Sequence, residues 1–194
     1  MDLTIDEKRN RLKDIIKARG IVIRDVTLSS KKKSKFYYDI KSIVGEPEGA
    51  ALIGQVMLAA ILKVEPKTRS VGGLESGAIA IATAIVCSSF QLEPTCRVSG
   101  FFVRKNMKAY GLEKTVEGIV QTPVAVVDDV ITTGKSVLHA VSALRNQGIS
   151  EISIMSVIDR ETEENLLNQS NTQFHSIFRH SEFADYIDSK LDQK

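Results

Sequence analysis

The 194-residue chain has no tryptophan, two cysteines, four prolines and only 6% aromatic residues. Cys87 and Cys96 are too few for a disulfide framework and match no metal-binding spacing, so the expectation is a pair of buried free thiols. Net charge is also nearly absent: 26 basic against 24 acidic side chains leave +2 at neutral pH. That balance demands neither nucleic acid nor a membrane surface as a partner. No apolar run approaches the length of a membrane span, and the first residues are charged helix formers rather than a signal peptide. Internal repeats and low-complexity linkers are missing as well. What is present, 43% hydrophobic residues over this length, suffices for one globular domain, or one with a small appendage. The expected location is the cytoplasm.

Periodicity sets the expected architecture. Thr4 and Glu7 form a capping-box pair for a helix over residues 3–19, with Leu12, Ile15 and Ile16 on one face and Gly20 as its stop. Ile21–Ile23 and Phe36–Ile43 read as strands around the polar segment 27–35. Pro47 opens a second helix in which Leu52, Ile53, Val56, Met57, Ala60 and Ile61 keep helical spacing. Strands near 69–73, 97–103, 124–128 and 152–158 then alternate with helices near 77–89 and 135–147. A weaker strand near 174–178 and a helix near 181–191 follow. Such alternation indicates an α/β fold, a mainly parallel sheet with helices on both faces.

The chemistry concentrates in "VAVVDDVITTGKS", residues 124–136. Its Gly134-Lys135-Ser136 suggests a nucleoside-triphosphate loop, but that motif needs glycine five residues before Gly134, where Asp129 stands. The alternative is more coherent. Val124–Val127 is a buried parallel strand, and Asp128 and Asp129 follow at its carboxyl end, where open α/β sheets bind ligands. Thr132, Thr133 and Gly134 turn the chain into a helix whose free amides and hydroxyls suit an anion. Carboxylates for vicinal hydroxyls beside a phosphate cradle fit a ribose 5-phosphate.

Three other stretches carry charge into functional positions. "FFVRKNMKAYGLEKTVEG", 101–118, leaves an apolar strand and presents Arg104, Lys105, Lys108 and Lys114, either as a polyanion-binding loop or as a solvated hairpin tip. "SSKKKSKFYYDIK", 29–41, packs five lysines around Phe36, Tyr37 and Tyr38. That mixture suits single-stranded nucleic acid or a planar anionic small molecule. It equally suits a plain strand with Phe36, Tyr38 and Ile40 inward and Tyr37 and Lys41 on the other side. In "SVIDRETE", 156–163, Arg160 lies just past a strand's carboxyl end, its fork matching a carboxylate or imide edge or pairing with Asp159 or Glu163.

Together these stretches resemble the orotate phosphoribosyltransferases of the type I phosphoribosyltransferase fold over nearly the whole chain. "VVDDVITTGKS" resembles the phosphoribosyl pyrophosphate motif, "VRKNMKAYG" the catalytic loop and "LSSKKKSKFYYDIK" the orotate segment. "VGGLESGAIAIA" is similar to the pyrophosphate-side loop, and the "DR" pair to the substrate arginine. Tyr110 replaces the usual loop histidine, and Glu75 and Ile79 replace the usual Thr and Asp. The resemblance implies a single domain: an N-terminal hood over about 1–45, a core over about 46–170 and a C-terminal segment packing back. It implies that Lys108, Asp128 and Asp129 are catalytic. Phosphoribosyl pyrophosphate would be bound by Arg104, Lys105, Lys108, Tyr110, Asp128, Asp129, Val130, Ile131, Thr132, Thr133, Gly134, Lys135 and Ser136. Orotate would meet Phe36, Tyr37, Thr132 and Arg160. It further implies Mg²⁺, held mainly by the substrate near Asp128 and Asp129, and a homodimer sharing loop 104–117 across its interface. Transfer to another base, and a non-catalytic sensor of the sugar diphosphate, stay open as alternatives.

Overall fold

The computed structural model describes residues 3–27, 33–105, 115–170 and 172–193. Helix α1 spans Ile5–Ile15. Its capping box is closed: the Thr4 amide donates to the Glu7 carboxylate at 2.8 Å, and the Glu7 amide donates to Thr4 Oγ1 at 3.3 Å. Such a cap contributes ~1 kcal/mol. The helix continues as a π turn over Ile16–Gly20 and enters strand β1, Ile21–Thr27. β1 pairs antiparallel with β2, Lys33–Tyr38, opposing Ile21 to Tyr38 and Ile23 to Phe36.

The expected strand over Phe36–Ile43 ends early. Asp39 accepts the Ser42 amide at 3.1 Å and starts the short helix α2, Ile40–Val44. Ile40 and Ile43 stay buried because their spacing also suits one face of a helix. Helix α3, Pro47–Val64, follows with proline in its first turn.

Strand β3, Ser70–Leu74, leads to α4, Gly77–Ser89, and then β4, Ser99–Val103. A three-residue strand not anticipated from the sequence, β5 (Val116–Gly118), pairs antiparallel with β4. Strand β6 runs from Val124 to Ile131, beyond the expected stop at 128. Helix α5 (Lys135–Arg145), β7 (Ile152–Asp159), β8 (Gln173–Arg179) and α6 (Ala184–Leu191) complete the described strands and α-helices. The sheet order is β5-β4-β3-β6-β7-β8, parallel throughout except for β5. The α/β expectation holds.

Helices cover both faces. On one, Ile53, Met57, Ile81 and Ile85 of α3 and α4 pack against Val71, Ala125 and Val127. On the other, Val137, Ala140, Val141 and Leu144 of α5 pack against Val124, Val126 and Ile154. By length and composition α3 could cross a membrane, contrary to the expectation that no segment could. Its Ile53, Val56, Met57 and Ile61 are instead buried in the first of these cores. The cysteines also differ from expectation: both thiols are free, but exposed. Cys87 points away from the sheet on α4, and Cys96 lies in a 3₁₀ turn, Pro94–Cys96, rather than in a strand.

Candidate active site

Strand order reverses between β3 and β6, because β4 was added on one side of β3 and β6 on the other. Open α/β sheets leave a crevice at such a point. Here β3 stays paired with β6 only as far as Gly72 opposite Val126. β6 then continues alone alongside β7 to Ile131 opposite Asp159. The parting strands open a cavity of about 300 Å³ whose walls include Asp128, Asp129, Thr132, Ser136 and Arg160.

The acidic wall comes from the last residues of β6. The Asp129 amide donates to Asp128 Oδ1 at 3.0 Å, and the Val130 amide donates to Asp129 Oδ1 at 2.9 Å. The start of α4 presses against both carboxylates. A Cβ on Gly77 would stand 3.1 Å from Asp128 Oδ1 and 3.2 Å from Asp129 Oδ1. A helix N-terminus favours negative charge nearby, yet burial, reinforced by the charge of Asp129, pushes the Asp128 carboxyl well above its ordinary range. The neutral form of Asp128 is thereby favoured more than in an exposed carboxyl.

The phosphate-cradle residues follow directly. Gly134 caps α5 with φ +73°, a left-handed conformation that glycine adopts without strain. A Cβ there would also stand 2.9 Å from Leu167 Cγ. The Thr132 carbonyl accepts the Thr162 hydroxyl at 2.5 Å, and the Thr133 carbonyl accepts the Leu166 amide at 3.1 Å. With those carbonyls engaged by the segment after β7, the first amides of α5 are left without intrahelical partners. Val130, Thr132 and Ser136 line the cavity; Thr133, Gly134 and Lys135 are not among its lining residues. Ile131 is buried in the core at 1% exposure, so its contribution to a ligand is limited to backbone.

Opposite stands Arg160. Its amide donates to the Ile131 carbonyl at 2.9 Å. Its guanidinium carbon lies 4.5 Å from the centroid of the Phe36 ring and 5.8 Å from that of Tyr38. Burial lowers the Arg160 pKa from its ordinary value, and the guanidinium is a charged, poorly hydrated fork lining the cavity. Phe36 does not line the cavity. It supports Arg160 and stacks in parallel on His180, centroids 5.5 Å apart. Tyr37 does line it, and so does Lys41, brought there by the unexpected α2. Burial, with the charge of Asp129, raises the Tyr37 pKa, so this phenol stays neutral.

The basic segment divides. Lys105 lines the cavity. Arg104 does not; it ion-pairs with Glu117 of β5 and lies 3.9 Å from the Glu75 carboxylate. Lys108, Tyr110 and Lys114 lie outside the described residues, as do Lys31 and Lys32. Six cavity residues were not named as site residues from the sequence: Tyr38, Lys41, Leu74, Glu75, Ser76 and Gly77, although the last four lie in the stretch similar to the pyrophosphate-side loop. Lys41 had one available signal, its position opposite the inward-facing Phe36 and Ile40. Among the described residues no three His, Cys, Asp or Glu side chains gather as a metal cage. Two adjacent carboxylates do fit Mg²⁺, a hard cation that keeps most of its ligands from substrate phosphates and water.

Comparisons with known proteins agree with this fold. No family model matches the chain. It is 37% identical over 182 residues to the orotate phosphoribosyltransferase of Aquifex aeolicus, covering 90% of this chain and 97% of the relative. To that of Rhodopseudomonas palustris it is 35% identical over 182 residues, covering 90% and 95%. Among solved structures it resembles an orotate phosphoribosyltransferase of Mycobacterium tuberculosis in complex with 5-phospho-α-D-ribosyl 1-diphosphate. The TM-score is 0.70 at 29% identity, over 91% of this chain and 99% of the other.

Proposed function

The chain belongs to the orotate phosphoribosyltransferase family, and we propose that it transfers ribose 5-phosphate from phosphoribosyl pyrophosphate to orotate. The products are orotidine 5′-monophosphate and pyrophosphate. One observation carries the reading: a carboxylate pair, a hydroxyl-rich helix start and a ring-supported arginine meet in one cavity. Phosphoribosyl pyrophosphate bound to the Mycobacterium tuberculosis relative gives further support.

In this reading Asp128 and Asp129 accept hydrogen bonds from the ribose hydroxyls. Thr132, Ser136 and the first amides of α5 hold the 5-phosphate. Arg160 forks onto the polar edge of orotate, with Tyr37 alongside. Orotate, having lost its N1 proton to solvent before the step, forms the N1–C1 bond to the ribose, and the C1–O electron pair leaves with pyrophosphate. The developing charge at C1 is stabilised by Asp128 and Asp129, while Arg104, Lys105 and Lys108 neutralise the leaving group. This is electrostatic preorganisation rather than proton transfer. Mg²⁺, held chiefly by the sugar diphosphate near Asp128 and Asp129, would add Lewis-acid charge stabilisation. The protein acts in the cytoplasm as a homodimer, with loop 104–117 completing the neighbouring site.

The assay is direct: orotate is consumed in the presence of phosphoribosyl pyrophosphate and Mg²⁺, while hypoxanthine, guanine and adenine are left untouched. A faster rate with a purine, or ligand binding without turnover, would overturn the orotate reading. Mixing inactive Lys108→Ala and Asp128→Asn subunits tests the shared loop. After verified exchange, activity should return to roughly a quarter of the parent value for independent sites in a two-fold dimer. No recovery would assign the loop to its own subunit.

A further inference from the structure

The Glu75 carboxylate stands where the proposed reaction calls for positive charge. With ribose hydroxyls at Asp128 and Asp129, the 5-phosphate at the start of α5 and the base at Arg160, the remaining wall is left for the diphosphate. Glu75, Ser76, Gly77 and Lys105 form that wall. Glu75 follows β3 directly, its amide donating to the Val103 carbonyl at 2.8 Å. Its Oε1 accepts the Lys105 amide at 2.9 Å, and its Oε2 lies 3.9 Å from Arg104 Nη1. Arg104 also donates to the Glu117 carboxylate. One guanidinium thus stands between two carboxylates, Glu117 the nearer of them. Arg104, Glu75 and Glu117 are each about a quarter exposed, their side chains at 23%, 29% and 29%, so solvent screening is incomplete.

We infer that Glu75 is a diphosphate-affinity determinant, a carboxylate that engages Arg104 and the Lys105 backbone and competes with the diphosphate for them. This rests on the phosphoribosyl-transfer reading above. An incoming diphosphate meets one more negative charge in the cavity wall and must draw Arg104 away from its carboxylate partners. Departing pyrophosphate is helped off by the same competition, because Glu75 recaptures the cation. The carboxylate therefore weakens binding of substrate diphosphate and of product pyrophosphate, and favours product release. It has no reason to affect orotate, whose recognition is assigned to the opposite wall.

The test is titration calorimetry of inorganic pyrophosphate with Mg²⁺, and separately of orotate, on the parent, Glu75→Gln and Glu75→Asp proteins. Glu75→Gln keeps shape and an acceptor but removes the charge. It should tighten pyrophosphate binding about 10-fold, equivalent to ~1.4 kcal/mol. The gain should shrink as salt rises from 50 to 500 mM, since it is electrostatic. Glu75→Asp, which keeps the charge, should stay within about threefold of the parent, and orotate affinity should not change in either variant. Unchanged or weaker pyrophosphate binding in a folded Glu75→Gln protein would overturn the inference, as would an equal gain in Glu75→Asp. The functional reading fails separately, if the parent neither binds pyrophosphate nor turns over orotate.

Discussion

The two walls of the crevice carry opposite charge and respond to burial in opposite ways. The acidic wall is local: Asp128 and Asp129 are consecutive, and their nearest donors are backbone amides one residue on. The cationic wall is assembled from distant segments, with Arg160 after β7 resting on Phe36 of β2, itself stacked on His180. Burial, with the charge of Asp129, raises the Asp128 pKa well above its ordinary value. Burial likewise lowers the Arg160 pKa from its ordinary value. The lesson is that desolvating a carboxyl changes its protonation state, whereas desolvating a guanidinium only strengthens its demand for an anion.

The largest expected effect tests the acidic wall. Asp128→Asn or Asp129→Asn should lower kcat/KM at least ~100-fold, the scale of losing a positioning or electrostatic group at the reacting centre. Near-parent kcat/KM in both variants would remove the ribose assignment.

The cationic wall should respond more selectively. Arg160→Ala should raise the KM for orotate by the ~1.5–3 kcal/mol typical of a hydrogen bond to a charged group. The KM for phosphoribosyl pyrophosphate should stay within about twofold, because that substrate meets the other wall. Equal rises in both constants would make Arg160 part of the scaffold.

The smallest effect concerns stability and sharpens the contrast. Asp128 binds its proton more tightly in the folded chain, so its contribution is fully present below its ordinary value of 3.8 and is lost as pH rises through the elevated folded value. In metal-free, ligand-free protein, Asp128→Asn should therefore melt higher than the parent near pH 8 and lose that advantage near pH 4. A domain of this size gains roughly 2–4 °C in Tm per kcal/mol. Parallel melting curves for parent and variant across that pH range would show that Asp128 carries no such burden.

Much of the active wall could be read in advance because its parts are contiguous. Strand, carboxylates, hydroxyls and helix start follow one another within Val124–Ser136, and each has a local signal. Ile40–Val44 misread for a physical reason: a short apolar run fits alternation and helical spacing alike, and the Asp39 cap decided between them. Lys41 reached the cavity only through that choice. β5, with three residues, is too short to show periodicity. The exposure of Cys87 follows from which face of α4 meets the sheet, a choice that its nearly uniform apolar sequence leaves open.

Local chemistry alone thus settled the longer strands of the sheet, the turn at Gly134 and the run of donors and acceptors along β6 and α5. These depend on backbone preferences and on neighbours a few residues apart. Only the tertiary structure decided what faces them. Arg160 meets Phe36 across 124 positions where the two-stranded sheet reaches the end of β7, and Glu75 meets Arg104 across 29 because β3 and β4 pair with Leu74 opposite Val103. Sequence spacing carries no record of such pairings. Packing of the two helical layers brings the segments together, and the charge of each is then felt over a few ångströms.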